Sequence, residues 1–155
     1  MSILRNEQTG VISLTTAHSV YQMKADTTGV LLHLYYGRKT DMDMSYLIRQ
    51  ADRGFSGNPY ELRGNRGYSL DTLPQEYAGV GVGDYRLPAV QALSDNGSQS
   101  VDLRYAGCEI AKGRQPLQGL PYVREKWEME TLTVTLRDSV IGLEVQLKYH
   151  VVASL

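Results

Sequence analysis

The alternation of apolar and polar positions predicts β-strands in the first forty residues. Apolar side chains occupy every second position of residues 30–36, and Leu31 adds an apolar side chain to the opposite face. A period of two is that of an extended strand, so this run is predicted to be a strand covered on both faces. Residues 11–16 and 19–24 form two runs before it, and residues 26–29, Asp-Thr-Thr-Gly, have the composition of a turn. Short extended runs joined by turns predict an antiparallel meander.

The clearest alternation lies in the last third of the chain. Threonine alternates with leucine or valine over residues 131–136, and polar and apolar side chains alternate again over residues 144–151. Asp138-Ser139 supplies turn residues between the two runs, which are therefore predicted to form a β-hairpin. The apolar pattern continues through residues 151–155, whereas domain ends usually fall in polar residues, so we expect a piece of a longer protein.

Three further strands are predicted in the middle of the chain, at residues 89–93, 100–105 and 108–112. Asn96-Gly97 lies between the first two, and Asn-Gly is a strong hairpin signal because both central residues of a type I′ turn require positive φ. We predict no helix longer than two turns. The fold class that fits is all-β, a single antiparallel β-sandwich domain over residues 1–155.

One segment, residues 37–86, follows neither period and is predicted to be a long irregular loop. Its 50 residues hold eight of the 15 glycines and six of the 13 aromatic residues. Irregular connections longer than about 15 residues are uncommon in compact domains, and ordered ones are usually binding or active-site loops. Function is therefore expected here. Within the segment, we predict only a turn or two of helix at residues 45–53 and a short extended piece at residues 68–70.

Composition narrows the functional classes. The 16 basic and 17 acidic residues leave a formal net charge of -1, which argues against a nucleic-acid or membrane-surface partner bound mainly through charge. The single cysteine, Cys108, excludes an internal disulfide, and no apolar stretch approaches the roughly 20 residues of a membrane span. Because the N-terminus lacks a secretory signal, we expect a cytoplasmic protein.

The sequence predicts no catalytic, metal or cofactor site. Asp41-Met42-Asp43 lacks the further ligands of a calcium loop, and the glycine series at 79–84 lacks the βαβ context of a nucleotide site. The three histidines lie in separate strand regions, which favours structural roles for them. Four carboxylates of the long segment each have an arginine nearby in sequence, so ion pairs that order the loop are the expected role. They are Asp52, Asp71, Glu76 and Asp84, with Arg53, Arg66 and Arg86.

Among these carboxylates, Asp52 is the best candidate for a function. The surrounding glycines and Asn58-Pro59 favour a tight, exposed turn, which would present its carboxylate to solvent. A carboxylate in such a place can accept hydrogen bonds from a ligand without taking part in bond breaking.

Six blocks, spread in order over nearly the whole chain, carry a family resemblance. They are Ala-Asp-Arg-Gly-Phe-Ser-Gly-Asn-Pro at 51–59, Tyr-Ser-Leu-Asp-Thr-Leu-Pro-Gln-Glu-Tyr at 68–77, Gly-Asp-Tyr-Arg at 83–86, Asp-Leu-Arg-Tyr at 102–105, Gly-Leu-Pro at 119–121 and Glu-Thr-Leu at 130–132. The series resembles the N-terminal region of glycoside hydrolase family 36 α-galactosidases. In that family this region is a β-supersandwich, followed by a (β/α)8 catalytic barrel and a small C-terminal β-domain. The resemblance implies that the chain is the first part of the supersandwich.

The resemblance also implies a parent activity. The enzymes of the family release terminal α-linked galactose from melibiose, raffinose and related substrates by a retaining mechanism that uses two aspartates. Both aspartates belong to the barrel, so the chain alone is expected to hold no catalytic residue and to be inactive. Its implied partners are the rest of the α-galactosidase chain and the galactoside substrate, and no cofactor is expected.

Roles for individual residues follow from the same resemblance. In bacterial members the aspartate of the first block reaches the galactose pocket, which assigns substrate binding to Asp52. The N-terminal loops of bacterial relatives also contribute to tetramer contacts, so a homo-oligomer is expected. The remaining residues of interest are expected to shape the loop or the interface: Arg53, Phe55, Asn58 and Tyr68.

Two other hypotheses belong to different classes. An autonomous carbohydrate-binding β-sandwich would need an exposed aromatic platform, which Tyr60, Tyr68 and Trp127 could supply. A purely structural assembly module would need no ligand at all. Galactose binding by the chain on its own distinguishes the binding module from an inactive piece of an enzyme.

Overall fold

The computed structural model describes residues 2–52, 54, 59–62, 64–121 and 128–154. These residues contain seven β-strands and two short 3₁₀ helices. The strands are β1 Ile3–Arg5, β2 Ile12–Thr15, β3 Ser19–Ala25, β4 Leu31–Arg38, β5 Arg104–Lys112, β6 Met129–Arg137 and β7 Glu144–Val152. The 3₁₀ helices, Met44–Leu47 and Tyr60–Leu62, both lie in the long segment between β4 and β5.

The strands form two antiparallel sheets in which each strand pairs with its neighbour in the sequence. The first sheet has the order β1-β2-β3-β4 and the second the order β5-β6-β7. The β6–β7 hairpin runs without a register shift from Met129 opposite Val152 to Arg137 opposite Glu144. The predicted meander, hairpin and all-β fold class are therefore confirmed.

The main core lies between the two sheets. Met23 and Leu31 of the first sheet pack in one buried cluster with Leu132 and Val134 of the second. Apolar side chains at alternate positions of a strand point to one face, which is why Leu132 and Val134 both reach this core. Thr131 points away from it but is also fully buried, and its hydroxyl donates to Gly113 O at 2.7 Å, which satisfies the buried donor.

A second, smaller core covers the opposite face of β4. Leu32 packs there with Val30, and the long segment contributes Tyr68, Leu70 and Leu73 to the same buried cluster. Its neighbour on the strand, Leu31, belongs to the main core. The prediction that this strand is covered on both faces is therefore confirmed, and the covering layer on the outer face is the long segment itself.

The predicted hairpin around Asn96-Gly97 is wrong beyond its turn. Residues 89–93 and 100–103 are not strands, and β5 begins only at Arg104. The turn itself closes with hydrogen bonds from Gly97 N to Ser94 O and from Ser94 N to Ser98 O, both 2.9 Å. Among the described residues only glycines have positive φ, so Asn96 does not adopt the conformation that a type I′ turn requires.

Where a hairpin ladder was predicted, the two arms of this turn instead form hydrogen bonds with the long segment. Ala89 N donates to Ala78 O at 2.9 Å, and Val101 N donates to Val80 O at 2.8 Å. These two backbone donors are thus satisfied by the long segment, a partner that the local sequence pattern does not predict. The predicted strand at 108–112 is instead the second half of β5, which contains a bulge between Tyr105 and Gly107.

Two other elements differ from the prediction. The helix expected at 45–53 is one 3₁₀ turn at Met44–Leu47, capped by the Asp43 carboxylate, which accepts from Ser45 N at 2.8 Å. Strand β1 was missed because three residues are too few to show a period. The first two described residues are held across the sandwich by Glu130 of β6, whose Oε2 accepts from Ser2 N at 2.6 Å and Ile3 N at 3.0 Å.

Candidate functional site

The long segment is attached to the free edge of β4. His33 N donates to Pro74 O at 2.8 Å and Glu76 N donates to Leu31 O at 2.9 Å, with a β-bridge between Leu32 and Gln75. Residues 74–76 thus continue the first sheet by a single bridge. The edge of a sheet carries unpaired backbone groups, so this contact both protects the edge and fixes the segment in place.

An ion pair with one buried partner orders the interior of the segment. The Asp84 side chain is 1% exposed, and Arg86 Nη2 lies 2.7 Å from its Oδ2. The same guanidinium donates to Leu70 O at 2.9 Å and Leu73 O at 2.7 Å, while Gln75 Nε2 donates to Asp84 Oδ2 at 2.7 Å. Desolvation would raise the pKa of Asp84, but the hydrogen bonds and charge of Arg86 outweigh it and hold the pKa below its usual value.

Glu76 joins the segment to both sheets. Its carboxylate accepts from the hydroxyl of Tyr21 on β3 and, at 2.6 Å, from the hydroxyl of Tyr149 on β7. Burial raises the pKa of both tyrosines, and the hydrogen bond to Glu76, followed by the charge of Glu76, raises it further. We call these three residues the tyrosine–glutamate junction, because they connect the two sheets and the long segment at one point.

Tyr68 fastens the segment to the turn between β3 and β4. Its side chain is buried in the second core, and its hydroxyl donates to Asp26 Oδ2 at 2.6 Å. Asp26 Oδ1 accepts from Thr28 N at 2.8 Å and Val30 N at 3.0 Å, so the carboxylate is held by its own turn. Burial and the neighbouring Asp26 raise the pKa of Tyr68.

Asp52 lies at the exposed part of the segment. Its Oδ1 accepts from Gly54 N at 2.7 Å, and Gly54 has φ +75°, a conformation that side chains with a Cβ rarely adopt. Arg66 Nε lies 3.1 Å from the same oxygen, and the side chains of Asp52 and Arg66 are 59% and 64% exposed. The result is a charged carboxylate that the backbone turn orients toward solvent, where it can accept hydrogen bonds from a polyhydroxylated ligand.

Comparison with known proteins identifies the family. Residues 29–155 match the glycosyl hydrolase family 36 N-terminal domain. The chain belongs to this family. The family 36 domain is 47% identical over 152 residues to the bifunctional α-galactosidase/sucrose kinase AgaSK of Mediterraneibacter gnavus, a match that covers 97% of this chain and 16% of that protein.

Solved structures give the same result for the fold. The family 36 domain superimposes on the galactosidase domain of AgaSK with a TM-score of 0.93 and 46% identity, covering 98% of this chain and 21% of that one. It also superimposes on the α-galactosidase AgaA of Geobacillus stearothermophilus, solved in complex with stachyose, with a TM-score of 0.83 and 40% identity over 92% of this chain and 20% of that one. The chain therefore spans about a fifth of the length of these relatives.

The predicted site residues have different outcomes in the structure of the family 36 domain. Asp52 forms the exposed turn that its sequence context predicts. Arg53, Phe55 and Asn58 lie outside the described residues. Tyr68 is 2% exposed, so it does not supply the exposed aromatic face that a sugar-binding platform needs.

Between described residues, two of the four carboxylates of the long segment form the expected ion pair with an arginine. Asp52 pairs with Arg66 and Asp84 with Arg86, as predicted. Glu76 pairs instead with the two tyrosine hydroxyls, and Asp71 accepts from the Ser69 hydroxyl. The junction was missed because Tyr149 is 73 positions away along the chain, and no local pattern connects the two residues.

Within the described part of the family 36 domain, no group of three or more His, Cys, Asp or Glu residues is placed to hold a metal ion. None of the helices in the described residues has the length and apolar composition that a membrane crossing requires. The one cysteine, Cys108, is partly exposed on β5 and is a free thiol.

Proposed function

We propose that the chain is the non-catalytic N-terminal part of an enzyme that hydrolyses terminal α-galactosides with retention of configuration. Family membership supports this activity, as does the stachyose complex of AgaA, a relative 40% identical to this chain. The chain spans about a fifth of these relatives. In this proposal the two catalytic aspartates belong to the rest of the enzyme, and the chain alone is inactive. Its first partner is then the remainder of its own polypeptide, including the catalytic barrel. A cytoplasmic location stays a prediction.

Asp52 contributes to the rim of the galactose pocket in this proposal. The observation that carries it is the exposed carboxylate, fixed on one oxygen by Gly54 N at 2.7 Å. Sugar hydroxyls are strong donors to a charged carboxylate, and a fixed acceptor orients the ring without taking part in bond breaking. Substrate positioning is therefore the role proposed for Asp52, with Arg53, Phe55 and Asn58 shaping the loop around it.

The same segment also supplies a contact between subunits of a homo-oligomer, proposed to be a tetramer. Met42, Tyr46 and Leu47 are large apolar side chains that are exposed within six positions of one another. Grouped apolar side chains on a protein surface mark interfaces more often than isolated ones do. Tyr68 shapes the segment in this proposal, since its hydroxyl fastens the segment to Asp26 of the β3–β4 turn.

The substrate-binding role is tested by Asp52→Ala in the full-length enzyme, with raffinose hydrolysis as the assay. We expect KM to rise by about tenfold, the loss of about 1.4 kcal/mol of binding, with kcat changed much less. Asp95→Ala, an exposed aspartate in the turn before β5, is the matched control and should leave both constants unchanged. Normal KM in Asp52→Ala would remove Asp52 from the pocket.

The inactive-piece proposal is tested on the chain alone by galactose titration followed by chemical shifts. We expect no saturation at low millimolar sugar, because a single exposed carboxylate does not make a pocket. Saturable binding in that range would favour the autonomous carbohydrate-binding module instead.

A further inference from the structure

Arg66 bonds to Asp52 and lies beside Gly54 of the same turn. Its Nε donates to Asp52 Oδ1 at 3.1 Å. Its Nη2 lies 3.5 Å from the position that a Cβ would occupy on Gly54. The guanidinium therefore lies beside Gly54, which has a positive φ, and it holds the Asp52 carboxylate at the same time.

The stretch of chain that carries Arg66 is itself anchored. Asn65 Oδ1 accepts from Gly67 N at 3.0 Å, and Tyr68 N donates to Asn65 O at 3.2 Å, which closes a turn around Arg66. Two positions further on, Tyr68 is buried and donates to Asp26 of the β3–β4 turn. Arg66 thus connects the exposed Asp52 turn to a stretch of chain that is fastened to the β3–β4 turn.

The two donors to Asp52 converge on one oxygen. Gly54 N and Arg66 Nε both bond to Oδ1, and within the described residues no group donates to Oδ2. A carboxylate whose plane is fixed by two bonds on one oxygen presents the other oxygen in a defined direction. Since ion pairs between exposed side chains contribute little to folding stability, orientation is the effect that this geometry can deliver.

We propose that Arg66 is a positioning residue for substrate binding, which holds Asp52 Oδ1 so that Oδ2 faces a hydroxyl of the galactose ring. This inference rests on the proposed function of Asp52. Arg66 acts through Asp52 and not on the glycosidic bond, so its removal affects the binding of substrate and not the rate of the chemical step.

The test compares Arg66→Gln, Arg66→Lys, Asp52→Ala and the double variant Asp52→Ala/Arg66→Gln in the full-length enzyme, by raffinose kinetics and thermal melting. Arg66→Gln should raise KM about three- to tenfold, which corresponds to about 0.7 to 1.4 kcal/mol, with kcat and the melting temperature nearly unchanged. Arg66→Lys keeps a positive donor and should recover part of the loss. In the Asp52→Ala background, Arg66→Gln should add no further increase in KM.

A matched control is available on the opposite sheet. Arg137 and Glu144 form an ion pair of 2.8 Å with similarly exposed side chains, between β6 and β7. Arg137→Gln should therefore leave KM unchanged.

Three outcomes would overturn the inference. Normal KM in Arg66→Gln, while Asp52→Ala raises KM, removes the role of Arg66 and leaves that of Asp52. An equal effect of Arg66→Gln with and without Asp52 shows that Arg66 does not act through this carboxylate. Normal KM in Asp52→Ala removes both roles, and the proposed function of Asp52 with them.

Discussion

Replacing Glu76 with alanine should destabilise the whole sandwich, although Glu76 lies in the long segment and in none of the seven strands. The side chain is 9% exposed, and its carboxylate accepts hydrogen bonds from the hydroxyls of Tyr21 and Tyr149. The variant leaves both hydroxyls without their acceptor, at a point where the first sheet, the second sheet and the long segment meet. Because all three depend on this point, the loss should appear as reduced global stability and not as local fraying.

The magnitude follows from the two hydrogen bonds. A buried donor that loses its partner costs about 1–3 kcal/mol, and water can reach the partly exposed tyrosines, so we take the lower part of this range for each. Glu76→Ala should therefore cost about 2–4 kcal/mol of the free energy of unfolding. Glu76→Gln keeps the shape and one acceptor oxygen, and should cost about 1–2 kcal/mol.

Equilibrium urea unfolding of the chain, followed by circular dichroism, measures this loss directly. For a chain of this length, about 2–4 kcal/mol corresponds to a fall of about 4–16 °C in Tm. A double-mutant cycle with Tyr149→Phe isolates the contact across the sandwich and should give a coupling energy of about 1 kcal/mol.

Glu109→Ala is the control for this experiment, since Glu109 is an exposed glutamate on β5. It should change stability by no more than about 0.5 kcal/mol. If Glu76→Ala behaved like Glu109→Ala, the junction would not stabilise the fold, and the inference from its geometry would be refuted.

Two further predictions concern the same layer of the molecule. Arg86→Ala leaves the buried Asp84 carboxylate without its cation and should lower the free energy of unfolding, measured in urea, by about 2–4 kcal/mol. This loss is smaller than for a fully buried pair, because Arg86 is 49% exposed. Arg137→Ala at the exposed Arg137–Glu144 pair should cost no more than about 1 kcal/mol, and an equal loss in both variants would contradict the argument. Stability should also fall as pH rises above about 10, because Tyr21, Tyr68 and Tyr149 have raised pKa values and stay protonated in the folded chain while they ionise in the unfolded one. Their contribution is complete below that pH, so urea midpoints that do not decrease between about pH 9 and 11, or that decrease equally in Tyr149→Phe, would argue against it.

The strand pattern at both ends of the chain could be predicted because it depends on local sequence. Over residues 131–136 every second side chain enters the core, and the alternation of threonine with leucine or valine records this directly. The Asp52 turn was also predictable, because an aspartate two positions before a glycine can bond the backbone of its own turn. Its partner is Arg66, 14 positions away, which the sequence alone does not distinguish from the adjacent Arg53.

The middle of the chain was decided by tertiary structure. Residues 89–93 and 100–103 have the sequence of strands, yet Ala89 N and Val101 N donate to residues 78 and 80 of the long segment. The sequence pattern of a strand shows which of its faces is apolar, but it does not show which stretch of backbone the strand will pair with. The Asn-Gly turn therefore formed without the hairpin that it usually closes.

The tyrosine–glutamate junction could not be read from the sequence for a related reason. Glu76 and Tyr149 are 73 positions apart, and a carboxylate in a loop has the same local sequence whether it meets an arginine or a tyrosine. Apolar periodicity fixed which faces of the strands are buried, since burial of a strand face depends on its own side chains. Which polar groups meet across the sandwich depends on how the sheets and the long segment pack, and that arrangement exists only in the folded chain.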